Sequence, residues 1–272
     1  MLKREIKNYG EIVFNVRFCL CVACIFLLFQ LDTGIPMMFS SYHWSVTAKE
    51  WDIVSTLLDA IYFGMYIQMI NIVSTAGFGL RFCEEWKAGI VPWMVRKCGL
   101  KKYARLYVSL ATLSGGSIAV VGFILYVISI KMHNVSLLNP ELLENLKTTA
   151  NYGYTLNTHS GIKYIIIMAT LYFIVGALAS VIAICMSTLI TNKYFVMVSP
   201  YLIYRIYVEI SKIINIPYNQ RIDYYLFGRQ EIGKSFWQTE TIILLILILI
   251  IIAGQFMFRK GLRRKLVYEK YF

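Results

Sequence analysis

Charge is missing from long stretches of this sequence, and much of the chemistry that charge serves is missing with it. Of 272 residues three are histidine and 15 are Asp or Glu, against 27 Lys and Arg. His43, His133 and His159 lie in separate segments, so no His-centred acid–base or metal cluster can be assembled from neighbours in sequence. No G-x-S-x-G elbow offers a nucleophilic serine. Five prolines and the lack of a long Gly/Ser tract leave no linker, and nothing repeats at a fixed period. One domain, residues 1–272, is the economical reading.

Cysteine usage excludes a disulfide framework. Cys19, Cys21, Cys24 and Cys185 fall in apolar runs, and Cys83 and Cys98 fall in a basic segment. The spacing Cys19-x-Cys21-x-x-Cys24 looks like soft metal ligands, but no His or further Cys accompanies it, so small apolar packing is the better account.

What is present is apolar: 58% of the residues are hydrophobic and the mean hydropathy is +0.61, well above an ordinary soluble domain. A hydrocarbon core of about 30 Å takes roughly 20 helical residues, because only a helix satisfies its own backbone there. Six windows meet that length, at about 12–31, 53–76, 106–130, 164–190, 194–210 and 242–257. The expected fold is therefore an all-α membrane protein with six transmembrane helices. The charged start before the first window lacks a following small-residue cleavage site, so that window is expected as a retained span with Arg17 snorkelling at its inner end.

The net charge of +12 sits in blocks beside apolar runs, which points to the membrane surface rather than to nucleic acid. Lys3, Arg4 and Lys7 open the chain, Arg81 to Arg105 follow the second window, and Arg259 to Lys270 follow the last. An even number of spans puts all three blocks on one side, and short basic loops mark the cytoplasm. Both termini are thus expected in the cytoplasm of a multi-pass protein of the cell membrane. The segments Asp32 to Asp52, Lys131 to Lys163 and Ser211 to Glu240 mix signs, as outside loops do. Asn139-Pro140 reads as a helix start, Asn134-Val135-Ser136 fits a glycosylation acceptor, and Trp44, Trp51, Tyr152, Tyr154, Tyr224, Tyr225 and Trp237 read as an interfacial aromatic belt.

Several residues are candidates for function. After the second window, Glu84-Glu85 and then Gly89, Pro92 and Gly99 predict a short amphipathic helix across the mouth of the bundle; solvated acids at a helix end are the plainer account. Arg205 and Glu209 are four residues apart in the fifth window, so they share a face and can pair, as a pathway or as a structural ion pair. Pro200 just before them predicts a kink. Asp59, Gln68 and Asn71 recur near helical spacing in the second window and are expected to face the bundle interior, for interhelical hydrogen bonds or a polar substrate. Gly115-Gly116-Ser117 and Gly176 with Ser180 predict close helix approach.

In this order of parts the chain resembles the permease subunits of type-2 ABC exporters. The resemblance is architectural and covers nearly all of the chain. It implies an interfacial helix at about Met1 to Asn15 and a coupling helix between spans 2 and 3, with Glu84, Glu85 and Gly89 as the ATPase-coupling residues. It also implies a re-entrant hairpin between the last two spans. The corresponding stretch, from about Ile213, carries Gln220, Arg221, Asp223, Arg229 and Glu231, so an external loop is the other reading. The implied partners are a separate ABC ATPase subunit, which would use the ATP, and a second permease copy or paralogue. This chain would bind no cofactor or metal itself. The cargo implied is an amphiphilic peptide, lipid-like molecule or drug. A membrane-embedded enzyme such as an intramembrane protease, or a non-transporting anchor or sensor component, are the rival classes. Glu84-Glu85 also resembles the paired glutamates of intramembrane glutamate-type proteases, but the arginine of that motif and a following histidine are lacking.

Overall fold

A computed structural model describes residues 15–33, 52–132, 135–139, 143–158 and 161–268. Among them the chain is helical throughout, with no strand. The helices are α1 (Val16–Thr33), α2 (Ile53–Phe63), α3 (Ile70–Phe78), α4 (Arg81–Lys87), α5 (Ile90–Cys98) and α6 (Leu100–Met132). After these come α7 (Leu143–Thr149), α8 (Ile162–Ser187), α9 (Lys193–Ile213), α10 (Ile222–Leu226) and α11 (Phe236–Tyr268). The expected interfacial helix at 1–14, the three histidines, Asn134, Pro140, Trp44 and Trp51 lie outside the described residues.

Among the described residues three helices, α6, α8 and α11, are long and apolar enough to cross a membrane, and a fourth span results if α2 and the bent continuation Tyr66–Lys87 are one. This is a multi-helix membrane architecture by length and composition. The second span is not the single continuous helix expected over 53–76. It breaks at Gly64-Met65 and turns through 74°. Gly64 is required there, since a Cβ would stand 2.1 Å from the Ala60 carbonyl oxygen and 2.7 Å from the Asp32 carboxylate.

α8 is the axis of the bundle. It is apolar on every side, which a helix tolerates only when surrounded by protein or lipid, and it packs on α3, α6, α9 and α11. The expected small-residue crossing is present: a Cβ on Gly115 would lie 2.0 Å from Ser180 Oγ and 2.4 Å from the Gly176 carbonyl oxygen. The backbones of α6 and α8 thus touch, and Ser180 Oγ donates to the Ser74 carbonyl oxygen of α3 at 2.9 Å. By contrast only 17% of α11's most apolar window is buried, against 61% for α8. Leu244, Leu249, Ile252 and Phe256 consequently form an outward apolar face that requires lipid or another chain.

Side chains cap the starts of two helices. Asp52 caps α2 in a capping box with Ser55, and its second oxygen accepts from Asn139 N at 2.8 Å. Asn192 caps α9 after a tight turn. Pro200 sits inside α9, where the Val196 carbonyl loses its partner. Ser199 Oγ donates to that carbonyl at 2.8 Å, and Thr75 Oγ1 of α3 donates to the next one, Met197, at 3.1 Å.

Candidate functional site

Among the described residues, the basic stretch 81–105 and the basic part of α11 converge on one end of the bundle. Tyr107, near the start of α6, stacks on Phe258 of α11 with ring centroids 5.7 Å apart, and Gly261 of α11 lies against Thr188 at the end of α8. Arg17 at the start of α1 pairs with Glu84 of α4 at 3.0 Å. So the N-terminal ends of α1 and α6 meet the C-terminal ends of α8 and α11 there, around the α4–α5 hairpin.

The hairpin is made by two glycines. Gly89 (φ +69°) and Gly99 (φ +83°) take left-handed backbone on either side of α5, and a Cβ on either would meet nothing within 4 Å. Conformation, not space, demands glycine at both. α4 buries Phe82, Cys83 and Trp86, and α5 buries Val91, Pro92 and Val95. The other face of α5 shows Ile90 and Trp93 to the outside, with Lys97 Nζ 5.1 Å from the Trp93 ring centre. An apolar and basic face of that kind fits an interface.

The two glutamates have different surroundings. Glu84 is 40% exposed and accepts from Arg17 Nη1 through both carboxylate oxygens, each at 3.0 Å. Glu85 is turned inward, 16% exposed, and pairs with Arg81 one turn earlier on its own helix. Glu84 therefore ties α4 to α1, whereas Glu85 is held locally. A second tie reaches α11. The Lys265 ammonium is buried, lies 4.6 Å from the Trp86 ring centre and 5.5 Å from that of Phe82, and donates to the Ser187 carbonyl oxygen at 3.1 Å. It neutralises the negative C-terminal end of α8 while roofing α4 with a cation–π contact.

At the opposite end lies a polar arrangement that sequence patterns did not reveal. The break in the second span leaves N–H groups on one side and carbonyls on the other without helical partners. Asp32, at the end of α1, accepts from the N–H groups of Met65, Tyr66 and Ile67 at 2.9, 2.9 and 2.6 Å. Arg229, from the segment before α11, donates through Nε to the Ile61 carbonyl oxygen at 2.8 Å. The same segment is pinned by Asn151 Nδ2 on the Gly228 carbonyl oxygen (3.3 Å) and by Tyr152 N on Glu231 Oε1 (2.6 Å). Burial pushes the Tyr152 phenol above its ordinary range, so it remains a donor, to the Gln230 carbonyl oxygen at 3.1 Å. The only sequence signal was Gly64 in mid-window with Asp32 and Arg229 in the mixed-charge flanks.

The remaining candidates separate. Arg205 and Glu209 do pair, at 3.6 Å, and Glu209 also binds Lys212 at 2.9 Å, but all three side chains are about half exposed. Asp59 is exposed, contrary to the expectation that it faces inward with Gln68 and Asn71. The bend between them destroys the helical spacing on which that grouping rested. Gln68 is half-buried and its carbonyl accepts from Asn71 Nδ2 at 3.1 Å. Asn71 itself is buried and lines an apolar cleft of about 210 Å³ with Pro200, Tyr204 and Tyr207. Beside the cleft, Arg221 and Asp223 form a buried pair at 2.7 Å, with Arg221 4.9 Å from the Tyr224 ring centre. That hydrogen bond holds the Arg221 guanidinium above its ordinary value. Cys21 is buried on α1 while Cys19 and Cys24 are exposed, so the three do not converge. Among the described residues no three His, Cys, Asp or Glu side chains group as metal ligands. Comparison with protein-family models, with curated proteins and with solved structures gave no match.

Proposed function

We propose that this chain is the membrane-spanning permease subunit of a type-2 ABC exporter, driven by a separate ATPase and working with a second copy or paralogue. In this reading α1, the bent α2–α3, α6, α8, α9 and α11 are six spans, and the basic end faces the cytoplasm. A 33-residue helix such as α6 or α11 is about 50 Å long, which exceeds a hydrocarbon core of about 30 Å. Part of the surplus on both lies at the basic end.

The observation that carries the proposal is the α4–α5 hairpin. It hangs from the second span, turns at the left-handed Gly89, ends at the left-handed Gly99, and is wired to α1 through Glu84 and to α11 through Lys265. A push on it is delivered to three spans at once, which is the mechanical need of a subunit moved by a cytoplasmic ATPase. The exposed face with Ile90, Trp93, Arg96 and Lys97 is the contact offered to that partner. No acid–base pair or nucleophile is required of the chain, because its task is motion.

The test is co-purification with the candidate ATPase, followed by Trp93→Ala and Lys97→Glu. Loss of the complex and of stimulated ATP hydrolysis, with helical content unchanged, supports the assignment. A complex that keeps full stimulated hydrolysis with both changes sinks it. Orientation has its own check. Lys234→Cys should label with an impermeant maleimide in intact cells, and Lys101→Cys only after the cells are permeabilised.

A further inference from the structure

Two openings lie one above the other along the seam between α8 and α11, and their linings differ in kind. The first is an apolar groove of about 470 Å³ lined by Leu178, Ile182, Met186, Leu249, Ala253 and Met257, with Ile203 of α9 as its outer wall. The second, toward the basic end, is a cleft of about 590 Å³ lined by Thr188, Thr191, Gly261, Arg264, Lys265 and Tyr268. No acidic residue lines either.

The register of the seam aligns them. A Cβ on Gly254 would stand 2.5 Å from Val181, and one on Gly261 would stand 2.1 Å from Thr188 Oγ1. Each helix thus advances by one heptad between the two close contacts, the helices run parallel, and the two openings follow one another along the same pair of helices. From Leu249 to Met257 the groove is about 12 Å long, close to the apolar half-thickness of about 15 Å that one leaflet provides. The cleft then lies one to two turns beyond the last apolar turn of α11, at headgroup depth. Lys265 is committed to Ser187 and the Trp86 ring, and Thr188 Oγ1 donates to the Cys185 carbonyl oxygen at 2.7 Å, which leaves Arg264 and Thr191 to meet a ligand.

We infer that this seam binds one anionic phospholipid, with its phosphate in the cleft beside Arg264 and an acyl chain in the groove against Ala253. A free phosphate would satisfy the cleft but not the groove, and a neutral lipid would satisfy the groove but not the cleft. The inference rests on the membrane architecture and not on the transporter reading.

The experiment is native mass spectrometry of the full chain released from detergent holding equal phosphatidylglycerol and phosphatidylcholine, comparing the wild type with Arg264→Gln and Ala253→Phe. Both positions are exposed, so neither change disturbs the core. The wild type should retain one phosphatidylglycerol per chain, and Arg264→Gln should lower the preference over phosphatidylcholine by about fivefold, the effect of one interfacial cation. Ala253→Phe should reduce retention of both lipids and leave the headgroup preference of the remainder intact. An unchanged preference in Arg264→Gln, or unchanged occupancy in Ala253→Phe, overturns the site. Displacement of the lipid by excess inorganic phosphate would reassign the cleft to a free anion. Efficient cross-linking of Leu249→Cys between copies in vesicles would hand the groove to a second copy's helix.

Discussion

Replacing Asp32 with alanine removes the acceptor of three backbone N–H groups at the break in the second span. Loss of an N-cap costs about 0.5–2 kcal/mol, and a hydrogen bond to a charged group contributes about 1.5–3 kcal/mol. Three such bonds do not add in full, because the bonds to Met65 and Tyr66 lie on the exposed side and water replaces part of what is lost. The Ile67 bond, shorter and half-buried, carries most of the effect. A net loss of about 2 kcal/mol follows, which for a chain of this size lowers Tm by about 4–8 °C. Asp32→Asn keeps one carbonyl oxygen for two of the donors but turns an amide NH2 toward the third, so it should fall between wild type and alanine. Thermal unfolding in one detergent, followed by circular dichroism, ranks the three proteins. If Asp32→Ala melts within 1 °C of wild type, as a ~0.3 kcal/mol effect would, the carboxylate does not hold the break and the account of that end of the molecule is wrong.

Gly115→Ala forces α6 and α8 apart at the Ser180 contact and should cost about 1–3 kcal/mol, whereas Gly89→Ala meets open space and should cost only about 1 kcal/mol of backbone strain; paired thermal melts measure the difference, and equal costs would contradict the close crossing. Lys265→Met leaves the Ser187 carbonyl without its donor and should cost about 1–3 kcal/mol, with a change in Trp86 emission that reports loss of the ammonium over the ring. Arg17→Ala removes an ion pair in which both partners are substantially exposed, so its effect on stability should be within about 1 kcal/mol, while any effect on the stimulated ATPase of a complex should be larger.

The apolar windows that form α6, α8 and α11 were legible because length against bilayer thickness is a one-dimensional rule. Gly115 and Gly176 were legible for a related reason, since only contact between backbones rewards two glycines in apolar helices. The Asp59, Gln68 and Asn71 grouping failed because periodicity presumes a straight helix, and Gly64 ends it. Asp32 and Arg229 were invisible as a pair because they are nearly 200 residues apart and serve backbone groups, which leave no pattern in side-chain identity. Glu84 and Glu85 read alike in sequence. Only the positions of Arg17 and Arg81 make one a tie between helices and the other a local pair.

The two ends of the second span put different demands on its middle. At the basic end α4 is gripped by α1 and α11 through an exposed ion pair and a buried ammonium, contacts that transmit displacement but are individually weak. At the far end the span is already broken, and the freed groups are held by one carboxylate from α1 and one guanidinium from the segment before α11. The same two neighbours, α1 and the α11 arm, therefore hold both ends of α3 and α4. A rotation of the hairpin that moves α1 relative to α11 must draw Asp32 away from Arg229 across Gly64, where α2 ends. In the proposed exporter, movement started at the hairpin reaches the outer end as a widening of that break. A Met65→Cys thiol at the break should then react faster with an impermeant maleimide during ATP turnover than at rest, and equal rates in the two states would separate the hairpin from the outer end.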